Sequence, residues 1–214
     1  MSSYPDTISE AVESELVVRK SRFLTIVAPA RTNEEAEGVV AAQRRRHADA
    51  RHHCTAMIFG VHGDRARSSD DGEPSGTAGV PMLDVLRRRA MTDVVAVVTR
   101  YFGGVKLGAG GLVRAYSTAV SAALDTATPV HRRELREALI EIPHADAGRV
   151  ENALREWAST HEASVSGISY AACATLALWI PPAAHAALQA ELASLSAGTL
   201  TALFGELRIT DVPH

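Results

Sequence analysis

Lysine is nearly absent: the 214 residues carry 2 Lys against 20 Arg. With 37 Ala, that skew fits genomic base composition, and no functional weight rests on it. Cysteine is equally scarce. Cys54 and Cys173 could close one bridge at most, which excludes a disulfide framework and agrees with a reducing compartment. Long apolar runs are lacking too; the best, Ala171–Ile180, ends at Pro181-Pro182, short of the ~20 residues a membrane span needs. The opening MSSYPDTISEAVESE is acidic and has neither the basic residue nor the apolar run of a secretory signal. A cytoplasmic, soluble globular chain without a membrane partner is expected. No charge of one sign dominates either: 22 basic against 25 acidic side chains leave −3, so any nucleic-acid surface has to be local.

Glycine is the exception to this evenness. Ten of the 15 glycines lie between Gly60 and Gly111, and glycine gathers where backbone is exposed or left-handed. Residues 1–130 hold 16 basic and 15 acidic side chains, whereas residues 131–214 hold 6 and 10. Between these parts, Thr126–Glu137 has a proline and mixed charge but no hydrophobic period, and reads as a connector. Two domains are expected, 1–134 and 135–214.

In the first domain, Leu16–Ala28 reads as a strand with a polar interruption at Arg19–Arg22. Thr32 and Glu35 have capping-box spacing for a helix that runs to Arg44-Arg45-Arg46, cations suited to the negative end of a helix dipole. Cys54–Phe59 reads as a strand, Pro81 opens a helix ending at Arg87-Arg88-Arg89, and Val94–Val98, apolar throughout, reads as a strand buried on both faces. A helix after Gly111 turns Val113, Tyr116, Val120 and Leu124 inward. The second domain reads as a strand at Leu139–Ile142, a helix capped by Asp146, strands near 163–170 and 175–180, a helix from Pro182 to Gly198, and a strand near 200–209. That order is the βαββαβ pattern of a ferredoxin-like sandwich, a fold that by itself indicates no function.

Two segments carry chemistry. In Arg67–Pro81, the carboxylates Asp70, Asp71 and Glu73 precede a run containing Ser75, Gly76 and Thr77 that leads into a helix N-terminus, where free N–H groups hold an anion. A phosphate or a capping carboxylate fits there. The carboxylates could alternatively hold Mg2+, or simply cap a solvated turn, and their spacing is not that of a calcium loop. In Thr99–Arg114, a buried strand passes through a glycine loop into a helix. The loop closes neither a Walker motif nor a dinucleotide fingerprint. Arg100, Lys106 and Arg114, with Tyr101 and Phe102, instead set cations and stacking faces around the bare backbone of Gly103, Gly104, Gly108, Gly110 and Gly111, a surface suited to phosphates and exposed bases. The alternative is that these glycines serve helix-on-sheet packing. In His52-His53-Cys54, strand alternation puts His52 and Cys54 on one face and His53 on the other. The pair could be nucleophile and base or two metal ligands, or a buried cysteine beside a hydrogen-bonded histidine.

The strings RSSDDGEPSGTAG and VVTRYFGGVKLGAGGLVRAYS resemble the IMPACT family, in its bacterial YigZ-like branch, and the resemblance extends more weakly into AGRVENALRE. It implies an α+β fold: a first domain of the ribosomal-protein-like two-layer α/β type, shared with a domain of elongation factor G, and a ferredoxin-like second domain. It also implies a link to translation, since eukaryotic relatives restrain a translation-stress kinase with the help of an additional RWD domain. Where the family usually reads His-Asn-Cys, this chain has His52-His53-Cys54. The expected function is a translation-associated binding protein that contacts RNA, the ribosome or a translation factor and takes no cofactor. Arg67, Arg100, Lys106 and Arg114 would neutralise phosphates and Tyr101 would stack. The alternative is an enzyme acting on a phosphorylated small molecule through Asp70, Asp71 or Glu73.

Overall fold

The computed structural model describes residues 4–212. The chain divides after Arg132: one unit comprises the residues up to Arg132 with the segment from Asp211, the other Arg133–Thr210. The first unit runs β1 (Thr7–Ile8), β2 (Val12–Val18), β3 (Ser21–Pro29), α1 (Asn33–Arg46), β4 (His52–Phe59), β5 (Arg65–Ser69), α2 (Gly79–Arg88), β6 (Val94–Tyr101) and α3 (Ala109–Leu124). Strands β2-β3-β6-β4-β5 form one antiparallel sheet in that order.

Local chemistry explains most of these elements. Thr32 Oγ1 accepts the Glu35 N–H (3.2 Å) while the Glu35 carboxylate accepts the Arg31 N–H (2.7 Å), so α1 begins where the capping residues stand. The polar interruption at 19–22 proves to be a hairpin turn: Arg19 and Lys20 both have positive φ (47° and 67°), and Val18 pairs with Ser21. Two left-handed residues in a two-residue loop match the twist of the flanking strands. One expected strand is therefore two.

Both faces of the sheet are covered. Helices α2 and α3 pack on one side against Phe23, Cys54, Ala56, Ile58, Val94, Ala96 and Val98. Helix α1 packs on the other, where Ala36 and Val40 meet Met57, Phe59, Val95 and Val97. The two-layer expectation thus gains a third layer, which an all-apolar β6 requires. On α3 the inward stripe contains Leu112, Tyr116, Val120 and Leu124, while Val113, expected inward, is 38% exposed.

The second unit takes most of β7 (Pro129–Ile142), then α4 (Ala147–Thr160), β8 (Ser164–Tyr170), β9 (Ala174–Ile180), a single turn at Pro182–Ala184, α5 (His185–Ser196) and β10 (Ala202–Val212). The sheet order β10-β7-β9-β8 is that of a ferredoxin-like sandwich, with Val150, Leu154, Leu188 and Leu192 of the helices in its core. The stretch expected as a connector is instead the first half of β7. Asp146 stands at the N-cap of α4 but makes no capping bond; its carboxylate accepts from Arg149 (3.0 Å). Among the described residues, no helix is long and apolar enough to cross a membrane.

Candidate functional site

Strand register sets the first row of the site. Phe23 and His52 are both paired across from Arg100, so three adjacent strands carry Phe23, Arg100 and His52 side by side on the face that α2 and α3 cover. His53 and Thr99, one position along, face the other way and bond to each other (Nδ1···Oγ1 3.0 Å). Burial lowers the pKa of His53, which favours the neutral ring.

Beneath this row lies a buried polar chain. Glu73 Oε1 accepts from Arg100 Nη1 (2.7 Å) and from the Tyr116 hydroxyl (2.8 Å), in an ion pair whose side chains are only 3% and 7% exposed. The Cys54 thiol donates to the Asp70 carbonyl (3.0 Å) and lies 3.3 Å from the Tyr116 oxygen. Burial pushes that thiol up to about 12 and raises the Tyr116 phenol further, so both keep their protons at neutral pH. His52 turns its Nδ1 to the Asp71 carbonyl (2.9 Å). Cys54 and His52 therefore share a face, as expected, but not a hydrogen bond. The Cys54 thiol is fully buried, and among the described residues no side-chain base bonds to it.

The three carboxylates are engaged separately. Asp70 accepts from the N–H groups of Gly76 (2.8 Å), Ala78 (3.0 Å) and Gly79 (2.8 Å), and so occupies the N-terminus of α2 itself. Burial alone would raise its pKa, yet those three donors outweigh it and hold the carboxyl below its ordinary value. Asp71, left-handed at φ 42°, accepts from His53 N (2.7 Å) and Arg44 (2.9 Å). Glu73 is committed to Arg100 and Tyr116. Of the two readings left open for the helix end, the capping carboxylate is the one realised. Among the described residues no three His, Cys, Asp or Glu side chains converge as a metal shell would. In this structure the oxygens of Asp70, Asp71 and Glu73 are spent on backbone N–H groups, on Arg44, and on Arg100 and Tyr116.

Beside the polar chain opens a cleft of about 650 Å3, lined by Asp49–His52, Glu73-Pro74, Arg100–Phe102 and Lys106–Ala109 with Leu112. It brings the end of the acidic motif against the glycine loop. Arg51 and Lys106 line it, are exposed, and make no ion pair among the described residues. Asp49, also in the lining, accepts the Tyr101 hydroxyl (2.8 Å), and Arg22 lies 5.8 Å from the Tyr101 ring. The exposed aromatic is Phe102, at 58%.

Several expected residues lie elsewhere. Arg67, on β5, bonds Asn33 (2.6 Å) and lines none of this cleft, and Arg114 is exposed on α3 outside the lining. Thr77 is buried with its hydroxyl on the Pro74 carbonyl (2.6 Å), while Ser75 is exposed in the turn outside the lining. Arg100 lines the cleft, but its charge is met by Glu73. The glycines divide. A Cβ at Gly103 would run into the Lys20 carbonyl, so packing requires that residue. Gly104 and Gly108 have positive φ, and at Gly111 a Cβ would lie 3.0 Å from Leu107 Cβ. At Gly110 neither conformation nor space demands glycine. Three contributors carried no signal in the sequence that marked them for this site: Arg51, Ser21, which is fully buried beneath the loop, and the hydroxyl of Tyr116, which an apolar helical stripe conceals.

The chain has curated relatives over most of its length. Residues 19–124 match the Impact N-terminal domain and residues 140–199 a domain of unknown function, DUF1949. The chain is 37% identical over 188 residues to IMPACT family member YigZ of Escherichia coli (strain K12), covering 87% of this chain and 90% of that protein. The chain belongs to the IMPACT family. IMPACT family member YvyE of Bacillus subtilis (strain 168) is 45% identical over 150 residues, 70% of this chain and 69% of that one. A solved structure described as the crystal structure of a hypothetical protein is 35% identical and superposes with a TM-score of 0.60 over 96% of this chain and 99% of its own.

Proposed function

We propose that this protein binds RNA through the cleft beside α3, and that it does so in association with translation. One contrast supports the reading above others. The two glycine-rich motifs each lead into a helix N-terminus able to hold an anion, and Asp70 fills the one at α2. The other, at the 16-residue α3, has Gly108 at its N-cap, no side-chain cap and no acidic residue in its first turn. Its free N–H groups and the positive end of its dipole face the same cleft as Arg51 and Lys106. Glycine at position 110 leaves that backbone bare where the fold does not ask for it, at a cost to the helix of up to about 1 kcal/mol relative to alanine. Close approach of a ligand to backbone is the use that offsets such a cost. The net charge of −3 makes this local concentration of cations the more telling.

The test is the salt dependence of binding to a fluorescein-labelled, single-stranded 20-nucleotide RNA. Affinity should fall linearly on logarithmic axes as salt rises, and Lys106→Ala and Arg51→Ala should each reduce the slope by about 0.7. Absence of binding at low salt, or binding indifferent to salt, refutes the proposal.

A further inference from the structure

We infer that Phe102 is a built platform for an unpaired nucleobase, so that the cleft takes single-stranded or looped RNA in preference to duplex. This deepens the RNA reading and rests on it. Phe102 is 58% exposed at the lining of the cleft, so one face of its ring is open to a ligand there. Nor does it hang on a loose loop. The next residue, Gly103, donates its N–H to Ser21 Oγ (3.1 Å) and lies so close to the Lys20–Ser21 backbone that a side chain would not fit. Behind the ring, the Arg100 guanidinium lies 5.6 Å from the Phe102 centroid and 5.5 Å from that of Phe23. Arg100 is itself held by Glu73 (2.7 Å) and bonded at the limit to the same Ser21 hydroxyl (3.5 Å). A β-hairpin turn, a buried ion pair and a core phenylalanine thus fix one exposed ring.

That arrangement has the chemistry of base recognition. Aromatic rings stack on nucleobases of any identity, whereas a duplex keeps its bases stacked on one another and offers a ring no free face. Tyr101, expected as the stacking residue, is poorly placed for that role: its hydroxyl is bound to Asp49 and Arg22 lies over its ring. Phe102 takes it instead, with Arg51 and Lys106 left to meet phosphates. A ring supported by a cation and clamped at its backbone loses little entropy on binding, which is the advantage of preorganisation.

The experiment compares one RNA sequence as an unpaired strand and as a hairpin stem, each carrying 5-iodouridine for photo-crosslinking. The expected results are tighter binding of the strand, a crosslink mapped to Phe102, and affinity for the strand weakened about 5- to 150-fold by Phe102→Ala. Phe102→Tyr should restore it, and the salt slope should stay unchanged in Phe102→Ala because no charge is lost. Strand and stem bound equally, with Phe102→Ala indistinguishable from wild type and the salt slope retained, overturn the platform and leave the RNA reading standing. A wild-type protein that binds neither RNA overturns both.

Discussion

Replacing Glu73 by alanine separates a structural carboxylate from a chemical one. Its Oε1 takes hydrogen bonds from Arg100 (2.7 Å) and Tyr116 (2.8 Å) in a pair almost closed to solvent. Deleting one partner of a buried ion pair costs about 3–5 kcal/mol, because the remaining charge stays desolvated and uncompensated. The Tyr116 hydroxyl, left without its acceptor, adds to the loss. With a urea slope near 2 kcal/mol/M, a loss of about 4 kcal/mol lowers the unfolding midpoint by about 2 M. Trp157 and Trp179 both lie in the second unit, so tryptophan fluorescence does not report on this site, whereas amide exchange along β4 and β6 does. Faster exchange there and a lower midpoint by circular dichroism are expected. Pairing Glu73→Gln with Arg100→Met removes both charges at similar volume and should recover at least half of the loss, as replaced buried ion pairs are often near neutral. A Glu73→Ala variant within about 0.5 kcal/mol of wild type, the range of an ordinary surface substitution, would refute the structural role and return this carboxylate to the candidates for chemistry.

Other perturbations bear on the same region. Iodoacetamide at pH 8 should modify the half-buried Cys173 and spare Cys54, whose thiol stands at about 12; native labelling of Cys54 at a rate typical of an exposed thiol would contradict its assignment. Thermal stability should peak near neutral pH. Below about 6.5 the unfolded chain takes up protons that buried His53 and half-buried His185 refuse, and above about 8.5 it releases one that Cys54 keeps, so stability falls on either side. A melting temperature still rising from pH 7 toward 5, or from 8.5 toward 11, counts against those environments. Gly110→Ala should leave the melting temperature equal or higher while weakening RNA binding, since the fold has room for the methyl group and a phosphate at the helix end would not. Unaltered binding by that variant removes the close-approach argument for this glycine.

What the sequence made legible was whatever short-range chemistry decides. The Thr32–Glu35 capping spacing placed the start of α1, the all-apolar Val94–Val98 foretold a strand covered on both sides, and alternation put His52 and Cys54 on one face. The hairpin at Arg19-Lys20 escaped because its two left-handed positions are filled by long cations rather than by the Asn-Gly or Asp-Gly that usually mark such a turn. The first half of β7 escaped for a related reason: a strand whose side chains are mostly half-buried, with Arg132, Arg133, Glu134, Arg136 and Glu137 charged in close succession, shows no clear period of two. The roles of the acidic residues were harder still. Asp70 and Glu73 stand three positions apart and look alike on the page, yet one ends on three backbone N–H groups and the other on an arginine 27 residues away.

Long-range pairing also sorted the glycines, which composition alone had lumped together. Gly79 and Gly103 are required by backbones that come from distant segments, Ser69 and Lys20, and no local rule could have announced those approaches. Gly104 and Gly108 are required by their own left-handed φ. Once both kinds of structural demand are subtracted, the loop after β6 still has an exposed ring at Phe102 and the first turn of α3 a bare backbone at Gly110, two features that weaken or leave unpaired what a fold would otherwise close. Phe102 lines the cleft and Gly110 adjoins it, beside Arg51 and Lys106, which make no ion pair among the described residues. The fold itself gains little from glycine at the first or an exposed ring at the second, and the RNA reading gives each a use.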